Sequence, residues 1–396
     1  MNLSASRVFI TGATGFIGGR IAERLWLDYQ IPARCLVHNY AGASRLARLP
    51  VTLYPGNMLD KNSLERGLGD SNVIFHCAYG NSNDPGLNAR INEEGLQNLG
   101  EISIQHGVER LIHLSTVAVY GPEPPERVTE ETPVLLSEDE YGNSKIRTEA
   151  ICHDLRERGL PVVVIRPTIV FGPFSPIWTI GAMKRVLSGG WENTGDVHGL
   201  CNPVFIDDLV NGLFLCVEND SAVGQTFILS GEKPISWNDY FHAYKEIAGI
   251  ESAPFSTDYG RKSWRPYLSH FLRSNVQFLR KFAEPQIVDI YERLKIHNPT
   301  FARKMYSLFS GGIQENEKEK FNQHTVYSIE KASELLKYAP HSFEEGMRDT
   351  AEWLIYYEYV QRQPFKTSFP GRTSDRASTR RPSSGSSRTC RRWTFF

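Results

Sequence analysis

The stretch Val8-Phe9-Ile10-Thr11-Gly12-Ala13-Thr14-Gly15-Phe16-Ile17-Gly18 constrains this chain more than any other. It sets Gly-x-x-Gly-x-x-Gly between a short apolar run and an amphipathic one. A turn of this kind needs glycines because the backbone must bend tightly and come close to a pyrophosphate. The helix that follows offers its N–H donors and the positive end of its dipole to the anion. Three glycines in isolation say little, but at the first strand–helix crossover of a βαβ series they mark a dinucleotide site.

That series is legible. Strand-like runs fall at Arg7–Thr11, Ala33–His38, Val51–Tyr54, Asn72–His76, Arg110–Ser115 and Pro161–Arg166. Between them lie helical candidates at Phe16–Leu27, Ser44–Leu49, Lys61–Leu68, Leu87–His106 and Glu138–Arg158. Strands that are apolar almost throughout, alternating with helices, predict an α/β fold: a Rossmann-type, doubly wound parallel sheet covered on both faces. After Pro167 the rhythm breaks at Pro173, Pro176, Gly189-Gly190 and Gly195. Helices are expected at Ile206–Val217 and Trp237–Ile247, a strand at Gln225–Leu229, a long helical region over 260–310, and closing helices at Val326–Tyr338 and Phe343–Val360. The expected organisation is a dinucleotide-binding domain over 1–170, a smaller, partly interleaved substrate-binding lobe over 171–362, and a tail over 363–396.

The tail is set apart by charge. From Lys366 onward there are eight basic residues against one acid, Asp375, so a chain of net charge −1 carries about −8 before that point. With many Ser and Thr and almost no aliphatic residues, this segment cannot bury enough apolar surface to offset its ordering entropy, and disorder is expected. A basic tail can meet phosphates, but composition favours a solvated extension, and nothing else resembles a nucleic-acid reader. Hydrophobic residues at 40% and charged residues at 22% are ordinary for a soluble globular protein. No run approaches the ~20 apolar residues of a membrane span, and no long apolar segment precedes the glycine motif. Six scattered cysteines without a Cys-x-x-Cys pair fit reduced thiols in a cytoplasm, with neither zinc nor a disulfide frame.

A second motif, Tyr141-Gly-Asn-Ser-Lys145, places a phenol and an ammonium four residues apart, on one face if the segment is helical. A free phenol ionises near 10, and bringing it to about 7 takes roughly three units, or ~4 kcal/mol, part of which a neighbouring buried ammonium can supply. A poised phenol can take a proton from an alcohol or give one to a carbonyl. Spacing alone is weak evidence, since Tyr327-Ser-Ile-Glu-Lys331 repeats it; that copy reads as a strand-end Tyr before a Ser-capped helix. Leu114-Ser115-Thr116 ends the fifth strand, at the carboxyl edge where open α/β sheets bind ligands. A hydroxyl there can hydrogen-bond a reacting oxygen. His76 and His113 read as satisfied structural histidines. Arg261 to Phe282, rich in basic and aromatic residues, reads as packing in the substrate lobe or a dimer contact rather than as a membrane-surface helix.

Together these residues resemble the extended short-chain dehydrogenase/reductases, the NAD-dependent epimerases/dehydratases. The likeness runs over most of 7–360 and includes Gly56-Asn57-Met58-Leu59-Asp60, Phe75-His76-Cys77-Ala78, Asn92-Glu-Glu-Gly95, Arg166-Pro167…Phe171-Gly172-Pro173 and Val204-Phe205-Ile206-Asp207-Asp208. The resemblance implies that Tyr141 is the catalytic acid/base, that Lys145 lowers its pKa and holds the nicotinamide ribose, and that Thr116 orients the substrate oxygen. It implies that Gly12, Gly15 and Gly18 border the pyrophosphate, that Asn57 and Met58 lie near the adenine, and that Thr14, Phe16, Ile17, His38, Cys77, Ala78, Pro167 and Thr168 complete the cofactor contacts. It also implies a homodimer through Leu87–His106 and Glu138–Arg158.

Departures from the family pattern narrow the chemistry. Asn57 stands where relatives carry Asp. His38-Asn39 ends the second strand without the acid that usually accepts from the ribose 2′-hydroxyl, which leaves NAD and NADP both open, with Arg34 or Arg45 available to a 2′-phosphate. Val117-Ala118 replaces the acid pair that performs elimination in dehydratases, so dehydration is disfavoured. Thr168 and Cys201 stand where relatives contact a substrate diphosphate. The expected function is hydride transfer between a nicotinamide and a carbinol carbon of a nucleotide sugar. The alternatives are a reductase or dehydrogenase of a sterol- or flavonol-like alcohol or ketone and, in another class, a non-catalytic dinucleotide sensor.

Overall fold

Side-chain alternation along the strands builds two cores from one sheet. In the computed structural model, β1 (Val8–Thr11), β4 (Val73–His76), β5 (Arg110–Leu114) and β7 (Val162–Pro167) are buried at every position. Val8, Ile10, Val73, Phe75, Ile112, Leu114, Val163 and Ile165 enter one apolar cluster, and Phe9, Ile74, Leu111, Val162 and Val164 enter another. Successive strand residues face opposite sides, so each face needs its own cover. Helices α1 (Phe16–Tyr29) and α6 (Ile206–Glu218) cover the first. Helices α2 (Lys61–Leu68), α3 (Pro85–Gln105) and α4 (Glu140–Glu157) cover the second.

The structure describes residues 1–187, 191, 197–250, 321–357 and 359–360. Met1–Gln361 packs as one compact unit, while the second unit, Arg362–Phe396, lies outside the described residues. With β2 (Arg34–Val37), β3 (Thr52–Pro55) and β11 (Thr226–Leu229), the seven-stranded sheet runs β11-β7-β5-β4-β1-β2-β3, and all its pairings are parallel. The chain leaves β1 toward β2 and β3, then crosses to β4 on the other side. The topological switch therefore lies between β1 and β4, where such sheets open a crevice beyond their carboxyl ends. The strand expected at Gln225–Leu229 is β11, which returns from the second half of the chain to pair with β7.

Capping fixes where the helices begin. Asp60 accepts from Asn62 N at 3.1 Å to start α2, and Asp84 accepts from Gly86 N and Leu87 N before Pro85 starts α3. Asp139 accepts from Tyr141 N at 3.2 Å and Gly142 N at 3.3 Å, which places Tyr141 in the first turn of α4. Two expected helices differ. Ser44–Leu49 forms no α-helix; the chain there makes 3₁₀ turns at Ala41–Ala43 and Leu46–Arg48. Val326–Tyr338 divides into β13 (Val326–Tyr327), parallel to β6 (Arg127–Val128), and helix α8 (Glu330–Leu336). Tyr327 thus ends a strand, and Ser328 Oγ accepts from Glu330 N at 3.3 Å, so this Tyr-x-x-x-Lys copy does not share a helical face. The expected helical region over 260–310, the Arg261–Phe282 run and the basic tail lie outside the described residues.

Helix α9 (Phe343–Tyr356) opens on a capping box between Ser342 and Glu345. Just before it, His341 Nδ1 lies 2.6 Å from Oδ1 of Asp208, a buried carboxylate in the first turn of α6. The hydrogen bond to Asp208 raises the His341 pKa, while burial raises that of Asp208. A histidine whose folded-state pKa is raised adds stability in full below the unfolded value near 6.5, and that stability fades as pH climbs through the folded-state value. In urea titrations, His341→Gln is expected to lose stability relative to the parent at about pH 5.5 and to lose much less at about pH 9. An equal deficit at both pH values would remove the charge from this account.

Candidate active site

The glycine turn is held against the end of β4. Gly12 has φ +72°, and a Cβ there would stand 2.6 Å from both Ala78 N and Cys77 C. Only glycine fits the conformation and the close approach together. A Cβ on Gly18 would stand 2.3 Å from Gly12 O, so helix α1 can meet the turn only with a bare residue at that position. Gly15 caps α1 with no side-chain hydrogen bond to the first turn, so the helix offers backbone donors to an anion. Thr14 and Gly15 are exposed, Phe16 and Ile17 half-buried. Gly12, Gly15 and Gly18 thus form one tight turn that leads into the N-terminus of α1.

Other expected contacts are distributed along the same edge. Cys77 and Ala78 follow β4 against Gly12, and Pro167 ends β7. His38 is exposed after β2. Asn57 is exposed and accepts from Leu59 N at 2.8 Å, whereas Met58 is buried beneath Gly95 with its carbonyl accepting from Asn98 at 3.3 Å. Met58 is therefore a core side chain. Two expectations are corrected here. Arg34 sits at the opposite end of β2, about 10 Å from its carboxyl end, and donates to the carbonyls of Gly67 and Arg66. Arg45 pairs through two nitrogens with Glu23 and donates to Phe16 O. Neither guanidinium is held toward a 2′-phosphate. Thr168 is buried with its hydroxyl on Ser230, and Cys201 is fully buried in β9 (Leu200–Cys201).

Thr116, Tyr141 and Lys145 come together beyond β4 and β5. The Thr116 hydroxyl lies beside that of Tyr141 and draws its pKa down, and Thr116 Oγ1 accepts from Ala118 N at 3.2 Å. One turn along α4, Lys145 is 6% exposed and its Nζ donates to Leu114 O at 2.7 Å. Burial lowers its pKa to about 8, opposed by the nearby Cys77, Cys152 and Glu149. Burial raises the Tyr141 pKa, and the neighbouring Thr116 hydroxyl draws it back. The Lys145 ammonium lies 4.9 Å from the centre of the Tyr79 ring. Tyr141 nevertheless keeps 42% of its surface exposed, so the phenol is crowded by protein yet reachable from the crevice.

Beneath this cluster the groups are neutral or paired. His76 Nδ1 meets Thr11 Oγ1 at 2.7 Å and stacks on His113 at 5.3 Å. Burial, with Lys145 nearby, pushes the His76 pKa down to about 3 and holds His113 well below its usual range. His113 Nε2 meets Thr148 at 3.2 Å, while its Nδ1 has no partner among the described residues. Arg166 donates to both Glu149 oxygens, at 3.0 and 2.6 Å, and to Tyr120 Oη at 2.7 Å, and Ser115 donates to the same carboxylate. No motif in the sequence marks Tyr79, Ser144 or Glu149. Tyr79 directly follows the Phe75–Ala78 motif at the sheet's carboxyl edge, but a single Tyr has no spacing signature.

A profile of the NAD-dependent epimerase/dehydratase family matches residues 8–229, more than half of the chain. The chain belongs to that family. UDP-glucose 4-epimerase of Vibrio cholerae is 27% identical over 243 residues, which cover 58% of this chain and 72% of that protein. Human sterol-4-alpha-carboxylate 3-dehydrogenase, decarboxylating, is 27% identical over 243 residues, covering 58% and 64%. UDP-glucuronic acid 4-epimerase from Bacillus cereus, solved in complex with UDP-glucuronic acid and NAD, shares the fold with a TM-score of 0.62 at 21% identity, over 89% of this chain and 99% of that one. The Rossmann-type sheet inferred from sequence is therefore the family's fold. No helix among the described residues is long and apolar enough to cross a membrane.

Proposed function

We propose that this chain binds a nicotinamide dinucleotide across the carboxyl edge of its sheet and catalyses hydride transfer at a carbinol carbon, with Tyr141 as acid/base. The observation that carries this reading is the convergence of Thr116, Tyr141 and Lys145 beyond the strands that flank the glycine cradle. The bound cofactor, NAD or NADP, supplies or accepts the hydride. Thr116 orients the reacting oxygen toward Tyr141, which gives a proton to a carbonyl or takes one from an alcohol. Lys145, protonated below about 8, offers its remaining donors toward the nicotinamide ribose. Re-reduction of the ketone on its other face gives epimerisation, and its release gives net oxidation or reduction. Retention of all three side chains in one cluster favours an enzyme over a dinucleotide sensor.

A nucleotide sugar is the leading substrate class, supported by the epimerase relatives. A second reading, an apolar alcohol or ketone, is favoured by one feature. Val134, Leu135 and Leu136, which shortly precede α4, are 39%, 54% and 67% exposed, and Leu135 N is tied to Val119 O at 2.8 Å. Thermal unfolding with NAD or NADP, alone and with nucleotide sugars or with apolar alcohols and ketones, separates the two, because a ligand of the native state raises its stability. A rise with nucleotide sugars alone supports the first class, and a rise with apolar compounds alone supports the second. No stabilisation by either dinucleotide would overturn both.

A further inference from the structure

Among the described residues, the Tyr79 ring touches both members of the Tyr–Lys pair. We infer that Tyr79 is a positioning residue of this site, its ring holding the Lys145 ammonium against one side and the Tyr141 ring against another; its catalytic meaning rests on the function proposed above. The Tyr79 and Tyr141 rings meet edge-on, with centroids 5.3 Å apart at 78°, the arrangement that ring quadrupoles favour. Lys145 Nζ stands 4.9 Å from the Tyr79 centroid, within the reach of a cation–π contact.

Tyr79 is itself held in place. Its hydroxyl lies beside that of Ser144, whose Oγ accepts from Asn92 Nδ2 at 3.1 Å, and Asn92 Oδ1 accepts from Gly80 N at 2.7 Å. These bonds run from Ser144 on α4 through Asn92 on α3 to Gly80, the residue after Tyr79. A Cβ on Gly80 would stand 2.9 Å from Asn88 Cα, so this loop lies flush on α3. Leu114 O engages one ammonium hydrogen of Lys145 and the ring face attracts the charge from another direction. The Nζ is thereby fixed by two contacts rather than swinging about one, and misplacement by about 1 Å at such a site can cost about 10²-fold in rate.

Two substitutions separate the ring from the hydroxyl. Tyr79→Phe keeps both ring contacts and loses only the hydroxyl beside Ser144, whereas Tyr79→Leu loses the ring face. The titratable groups facing Lys145 are His76 and Cys77 from β4 and the loop after it, Tyr79 itself, His113 from β5, and Glu149 and Cys152 on α4. All of them remain in both variants except Tyr79. NMR of protein carrying ¹³C at lysine Cε, with Lys145→Met to assign the resonance, reads the titration without any substrate. The expected result is a wild-type midpoint in Tyr79→Phe and a midpoint about half a unit lower in Tyr79→Leu; Tyr79→Met replaces the leucine variant if that one fails to fold. Turnover, once a substrate is known, is expected to fall about ten- to a hundredfold in kcat for Tyr79→Leu. A midpoint in Tyr79→Leu that is unchanged or raised, or an equal displacement in Tyr79→Phe, overturns the inference. Retained turnover in Tyr141→Phe would overturn the proposed function instead, while the Lys145 titration still decides Tyr79.

Discussion

Tyr141→Phe is expected to lower turnover by about 10²–10⁴-fold, the usual contribution of a positioned acid/base, while leaving dinucleotide affinity close to that of the parent. The substitution removes one oxygen. The ring remains to meet Tyr79 edge-on, and the start of α4 is set by the Asp139 carboxylate on backbone N–H groups that phenylalanine keeps. The glycine cradle lies on β1 and α1, away from the altered atom. Burial raises the Tyr141 pKa, so the phenol carries its proton at neutral pH and is poised to donate to a carbonyl. Taking a proton from an alcohol requires first losing it, so the oxidative direction is expected to gain more from a rise in pH than the reductive one. Steady-state kcat in both directions, with dinucleotide Kd from fluorescence quenching, tests the argument. A fall of less than about tenfold would assign the proton transfer to another group.

What was legible in the sequence was local. Lys61–Leu68 matches α2 residue for residue because an acid caps its start and Gly69 ends it at φ +54°. The buried strands could be read because apolar runs bounded by turns have few other uses. The glycine cradle was legible for the same reason, since its demands on backbone geometry leave a spacing behind. Two kinds of feature were hidden. Arg34 and Arg45 lay close enough in sequence to serve a cofactor phosphate, yet strand direction sends one to the far end of β2 and Glu23 of α1 takes the other. The ammonium of Lys145 shared a helical face with the phenol as expected, but Leu114 of β5 and Tyr79 from the loop after β4 decide where its charge rests. Both are contacts across the sheet edge, and no spacing within one element encodes them.

Arg166→Met tests what holds that edge together. The Arg166 and Glu149 side chains are 8% and 13% exposed, and their pair joins β7 to α4. Through Ser115 Oγ it also reaches the end of β5, and through Tyr120 Oη, which donates to Thr129 O at 2.9 Å, it reaches the turn after Thr116. Removing the guanidinium leaves the carboxylate buried and without its counter-charge, for which a loss of about 3–5 kcal/mol is expected in urea unfolding. If the cost is that of an orphaned charge, Glu149→Leu combined with Arg166→Met should recover at least half of it, because a buried ion pair often stabilises a fold no more than apolar residues of similar size. The recovered stability should not restore turnover. Ser115 and Tyr120 lose their charged partner in the double variant, and they flank the segment that carries Thr116. A double variant as unstable as the sum of its single changes would mean that the pair contributes net stability, and a stable double variant with full turnover would mean that the apolar core alone positions Thr116 and Tyr141.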